Sequence, residues 1–108
     1  MKMFALNVIR LTRQLPNTRE GRLIGDQLFR SGTSVAANYR AACRARSKAE
    51  FLAKLGVVEE EADETLFWLE LISDLQLLNK KILFPCQTEA NELLSITIAS
   101  IKTARKTK

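Results

Sequence analysis

The sequence predicts an all-α protein: a single domain folded as an antiparallel up-down four-helix bundle with long second and third helices. Three observations carry this. Apolar residues recur at three- and four-residue intervals through almost all of the 108 residues. Breakers are scarce, with 4 Gly and 2 Pro, too few for a turn-rich β fold. The hydrophobic fraction of 46% and charged fraction of 27% belong to a chain that packs a core. A chain of this length forms one domain, over residues 1–108.

The first helix is expected over about residues 2–15, with Phe4, Val8, Leu11 and Leu15 in one stripe. Pro16-Asn17-Thr18 stops it and restarts the chain. The second helix is expected over about 19–45, with Leu23, Ile24, Leu28, Val35, Tyr39 and Ala42 on one side. Gly21, Gly25 and Gly32 lie in its interior, each costing up to about 1 kcal/mol of helix propensity. Ser31-Gly32-Thr33-Ser34 is therefore either a kink or a place where another backbone comes close. The small pairs Ala36-Ala37 and Ala41-Ala42 favour close approach. Asn38, in mid-helix, requires a specific polar partner.

The third helix opens on a capping box, Ser47-Lys48-Ala49-Glu50, in which each polar side chain satisfies the other's backbone amide. It is expected over about 48–79, with Leu52, Leu55, Val58, Ala62, Leu66, Leu69 and Ile72 on one face. A second apolar line, Val57, Trp68, Leu71, Leu75 and Leu78, runs beside the first. A helix of a solitary bundle needs one stripe. The extra width points to a homo-oligomer larger than a dimer, with Val57, Trp68, Leu71 and Leu75 as candidate interface residues. Trp68, beside Phe67, reads as either core or interface.

Asn79-Lys80-Lys81 reads as a turn, and Pro85 suits the first turn of a fourth helix over about 86–104. Leu93, Leu94, Thr97, Ile98 and Ile101 point inward, with Ile96 off that line. The tail with Lys102, Arg105, Lys106 and Lys108 is either a solvated end that complements the helix dipole or a polybasic arm.

The net charge is +5, unevenly spread: residues 1–54 carry +8 and residues 55–108 carry −3. Either the halves attract each other within the fold, or the basic half offers a surface to nucleic acid. With no His, zinc fingers and Ser-His-Asp or Cys-His catalysis are excluded. Ser31, Thr33 and Ser34 lack a base, so they read as structural hydroxyls and no enzyme is expected. The acidic run Glu59-Glu60-Glu61-Ala62-Asp63-Glu64 lacks the His that bundle metal sites use, so neither metal nor cofactor is expected. Ion pairs are expected instead, from Arg30, Arg40 and Arg44 to Glu60, Glu61 and Glu64. Arg40, Arg44, Arg46 and Lys48 form a basic knot, either dipole-complementing cations or a phosphate-binding edge. Cys43 and Cys86 lack a CxxC spacing, no signal peptide opens the chain, and no apolar run reaches ~18–20 residues. A cytoplasmic protein with no membrane partner is expected.

The stretch from Arg30 to Ala42, RSGTSVAANYRAA, its continuation CRARSKAEF over Cys43–Phe51, and EADETLFWLE over Glu61–Glu70 together resemble a known family. It is the bacterial four-helix-bundle family encoded by intervening sequences in 23S ribosomal RNA genes, and the likeness spans nearly the whole chain. The sequence departs from a common form of the pattern at Ala41, where an acidic residue is frequent, and at Glu59, where Lys is frequent. The resemblance implies a homopentameric ring. It extends to the accessory protein of diversity-generating retroelements, which implies an RNA or DNA partner by analogy. The expected function is a non-enzymatic oligomeric bundle protein that binds RNA or a ribonucleoprotein through a basic surface. The alternative is a structural protein–protein adaptor with no nucleic-acid role.

Overall fold

The structure, a computed structural model, describes residues 1–106. Lys108 of the basic tail, and with it the last of the expected domain, lies outside the described residues. Four α-helices and no strand occur among the described residues: α1 (Lys2–Thr12), α2 (Arg19–Cys43), α3 (Lys48–Asp74) and α4 (Lys80–Lys106). The helices pack α1 on α2, α2 on α3 and α3 on α4, with a smaller α1–α4 contact, in a body of 50 × 19 × 19 Å. Among the described residues no helix is long and apolar enough to cross a membrane.

Phe4, Val8 and Leu11 bury the inner face of α1. The helix ends at Thr12 rather than at Leu15, and Gln14 and Leu15 continue in tighter i→i+3 turns to Leu11 and Thr12. The Thr18 side chain accepts the Gly21 amide at 3.1 Å and caps α2. Gly21 is required there, because a Cβ would overlap the Pro16 carbonyl oxygen. The helix α2 runs unbroken through Gly32. What approaches Gly32 is a side chain: a Cβ there would sit 2.6 Å from Cγ1 of Val8.

The buried stripe of α2 runs Ile24, Leu28, Ser31, Val35 and Ala42. Two residues expected inside are not: Leu23 is 55% exposed and Tyr39 36% exposed. Leu23 lies about 100° around the helix from Ile24, and Tyr39 lines the α1–α2 groove.

The expected boundary between α3 and α4 is shifted. The third helix ends at Asp74, where Gln76 adopts φ 55°. The Leu77 amide donates to Ile72 O and the Gln76 amide to Ser73 O, both at 3.0 Å. That is a Schellman C-cap with Gln where Gly is usual, so no glycine marked the stop. The fourth helix starts at Lys80 rather than residue 86, because Asn79 Oδ1 accepts the Ile82 amide at 2.9 Å. Pro85 accordingly sits in the second turn, on the exposed side. Leu83, Cys86 and Ala90 form the buried face of the first three turns of α4.

One main core joins all four helices around Phe4, Val8, Leu28, Val35, Val58, Leu69, Ile72 and Leu83. A second, smaller cluster of Ala42, Leu55 and Ile101, with Phe51 and Leu52 against it, holds α2, α3 and α4 together near the α2–α3 turn.

Candidate functional site

The smaller cluster organises a group of exposed cations. It fixes the end of α2 (Arg40, Arg44), the connecting turn (Arg46), the start of α3 (Lys48) and the end of α4 (Lys102, Arg105, Lys106), all of them exposed. Ala104 of α4 shares a concavity with Cys43, Ser47, Lys48 and Phe51, so the last turn of α4 borders the turn between α2 and α3. Lys2 of α1 shares another with Arg40 and Arg44. Across these segments the one carboxylate among the described residues is Glu50. Its Oε2 lies 3.5 Å from the Arg46 amide, and Ser47 Oγ accepts the Glu50 amide at 3.1 Å, so it is occupied in the cap of α3.

Two carboxylates of α3, Glu61 and Glu64, meet a single arginine. Arg30 of α2 donates to Glu61 Oε2 at 3.0 Å and also to Glu64 Oε2. The Trp68 indole N–H donates to the same Glu64 oxygen at 3.0 Å. Those donors, Trp68 foremost and then Arg30, hold the Glu64 carboxyl below its ordinary range, and Glu64 in turn raises the Arg30 guanidinium further. Arg40, Arg44 and Glu60, expected in the same network, enter no ion pair within 4 Å among the described residues. Their helix positions carry them away from it, and Arg40 and Arg44 belong to the basic end instead. Trp68 and Leu71 are half-buried against the main core, Val57 is half-buried, and Leu75 is 48% exposed. Phe67, 50% exposed, meets Trp68 edge-on with ring centroids 5.0 Å apart.

The hydroxyls of the central segment are structural. Thr65 donates to Ser31 at 3.0 Å inside the α2–α3 contact, Ser31 reaches Leu28 O at 3.4 Å, and Thr33 bonds back to Phe29 O at 2.8 Å. Asn38 donates to Ser34 O and Ser34 Oγ, so its partner is its own helix. Among the described residues every buried side-chain polar atom has a partner.

The two cysteines differ sharply. Cys86 is buried, and burial, with Glu89 nearby, pushes its thiol up to about 11. Cys43 is exposed, and Tyr39 one turn before it faces the thiol, which raises the phenol above its ordinary range. Lys2 and Tyr39 are parts of the basic end that local sequence reasoning missed. The i,i+4 spacing of Tyr39 and Cys43 was a readable signal, but nothing local placed Lys2 beside α2.

The fold and this surface define a small helical-bundle protein that displays cationic and apolar patches. The chain matches the model of the 23S rRNA-intervening sequence protein family over residues 1–99, and it belongs to that family. Among solved structures it is similar to the crystal structure of a protein of unknown function from the S23 ribosomal protein family of Bacteroides thetaiotaomicron. The two share 33% identity with a TM-score of 0.86, over 93% of each chain. No curated protein matches it.

Proposed function

We propose that the protein is a non-enzymatic, oligomeric bundle that binds RNA, alone or in a ribonucleoprotein, through its basic end. One observation carries the reading. The smaller core gathers cations of α2, α3 and α4 at one end, where Lys2 of α1 shares a groove with Arg40 and Arg44, and Glu50 is the carboxylate among them. Clustered cations attract a phosphate backbone and release its counterions on binding. Lys48 opens α3, where a cation opposes the helix dipole.

An antiparallel course of α1 against α2 supports this placement. Leu15 lies against Gly25 and Val8 against Gly32, so the partners on α2 run backward as α1 runs forward. A homopentameric ring follows from the family resemblance, with the outer side of α3 as the joining surface. Phe67 and Leu75 are exposed there, beside half-buried Trp68 and Leu71. These residues occupy the second half of α3, away from Lys48, so assembly on them leaves the basic end accessible and multiplies it. The test is binding to a structured RNA across a salt series. Affinity should fall steeply from ~50 to ~200 mM salt. A flat response, or capture of a nuclease-insensitive protein partner in place of RNA, would favour the adaptor reading.

A further inference from the structure

The groove between the start of α1 and the second half of α2 has a volume of about 570 Å³. That lies within the roughly 300–1,000 Å³ of small-ligand sites. It is lined by the small side chains of Ala5, Ala36 and Ala37 and by Tyr39, and its cations are Lys2, Arg40 and Arg44 with no carboxylate among the lining residues. The other large groove, between α1 and the start of α4, sets Arg10 against Glu89 and Glu92 and is unsuited to an anion. A groove lined by small residues, one aromatic ring and three cations matches an unpaired nucleotide, with a flat base and a charged phosphate. A duplex keeps its bases stacked inside and offers only the phosphate.

We infer that this groove takes one unpaired nucleotide of the bound strand, its base against Tyr39 and the lining alanines and its phosphate on Lys2, Arg40 and Arg44. The inference rests on the basic end binding nucleic acid and adds a preference for single strands. Cys43 lines the same groove and is exposed, whereas Cys86 is buried, so alkylation of Cys43 reports occupancy in the unmodified protein.

The experiment compares a fluorescein-labelled ten-nucleotide oligouridine with an RNA duplex of equal length at ~50 mM salt. At saturation the single strand should slow iodoacetamide alkylation of Cys43 about tenfold, and the duplex should leave the rate nearly unchanged. Tyr39→Ala should weaken single-strand binding about tenfold and leave duplex binding alone, and Tyr39→Phe should bind as the parent does. Single-strand binding with unprotected Cys43, equal protection by the duplex, or an indifferent Tyr39→Ala overturns the subsite and leaves the basic-end reading standing. No binding of either RNA overturns both.

Discussion

Thr65 of α3 donates a hydrogen bond to Ser31 of α2 across 3.0 Å, and both residues are completely buried. It is a polar tie inside an otherwise apolar seam, flanked by Leu28 and Val35 of α2 and by Ala62 and Leu69 of α3. Each hydroxyl also reaches a carbonyl of its own helix, Thr65 to Glu61 O at 2.8 Å and Ser31 to Leu28 O at 3.4 Å, so the tie adds a cross-helix contact to groups that are already partnered locally. Thr65→Val should cost about 1–2 kcal/mol in urea unfolding. In a double-mutant cycle with Ser31→Ala the coupling should be about 1 kcal/mol, and a coupling near zero would show that the contact does not contribute.

The glycines of α2 and α3 should respond with opposite signs. A Cβ at Gly32 would lie 2.6 Å from Cγ1 of Val8, a stiff, fully buried side chain. Gly32→Ala should therefore destabilise by about 1–3 kcal/mol despite its better helix propensity. Val8→Ala in that background should recover part of the loss. A Cβ at Gly56 meets nothing within 4 Å, so Gly56→Ala should stabilise by about 0.5–1 kcal/mol. Midpoints of thermal unfolding for the three variants check the ordering.

The C-cap of α3 holds Gln76 at φ 55°, in the left-handed region. A side chain there costs about 1–2 kcal/mol relative to glycine, partly offset by the greater freedom of an unfolded glycine. Gln76→Gly should raise stability by about 0.5–1 kcal/mol, and Gln76→Val should lower it. If the two variants unfold alike, the left-handed cap is not formed in solution.

Glu64 makes stability depend on acid. Its native carboxyl is held low by the Trp68 N–H and Arg30, so its contribution is present above the unfolded value, near ~4.3, and is lost as pH falls through the lower native value. With its side chain 35% exposed, solvent screening keeps the contribution small. Glu64→Gln should flatten the stability profile below about pH 4.5. The emission of Trp68 should shift over the same window in the parent protein and not in the variant.

Cys86 acts at the other extreme. A thiol pushed up to about 11 stays protonated in the fold where the unfolded chain, near ~8.5, already ionises. Its contribution is complete below ~8.5 and is lost as pH rises toward about 11. Stability should decline across that window, and Cys86→Ala should remove the decline while lowering stability at neutral pH. Under native conditions iodoacetamide should modify Cys43 well before Cys86, and equal rates would contradict the burial of Cys86.

Much of the fold was legible because a helix stripe is a local periodicity. Phe4, Val8 and Leu11, and Leu55, Val58, Leu69 and Ile72, were expected inside and lie there. The Ser47 half of the capping box was equally plain, since donor and acceptor lie within four residues, whereas the Glu50 carboxylate reaches the Arg46 amide in place of the expected Ser47 amide. The α3–α4 boundary was not legible, because Gln76 carries none of glycine's signal and Asn79 reads as a turn residue as readily as a cap. Leu23 and Tyr39 were misplaced because an apolar side chain near the edge of a stripe carries no mark of which neighbour will cover it.

The sequence by itself determined the helices, the inner stripes and the excess of cations in the first half, since each depends on residues a turn or two apart. Only the tertiary structure decided which carboxylates Arg30 would meet, that Val8 would bear on Gly32, and that Lys2, Arg40, Lys48 and the end of α4 would share one end. Those outcomes depend on the rotation and register of one packed helix against another. Interdigitating side chains set both, far apart along the chain, so no local pattern records them.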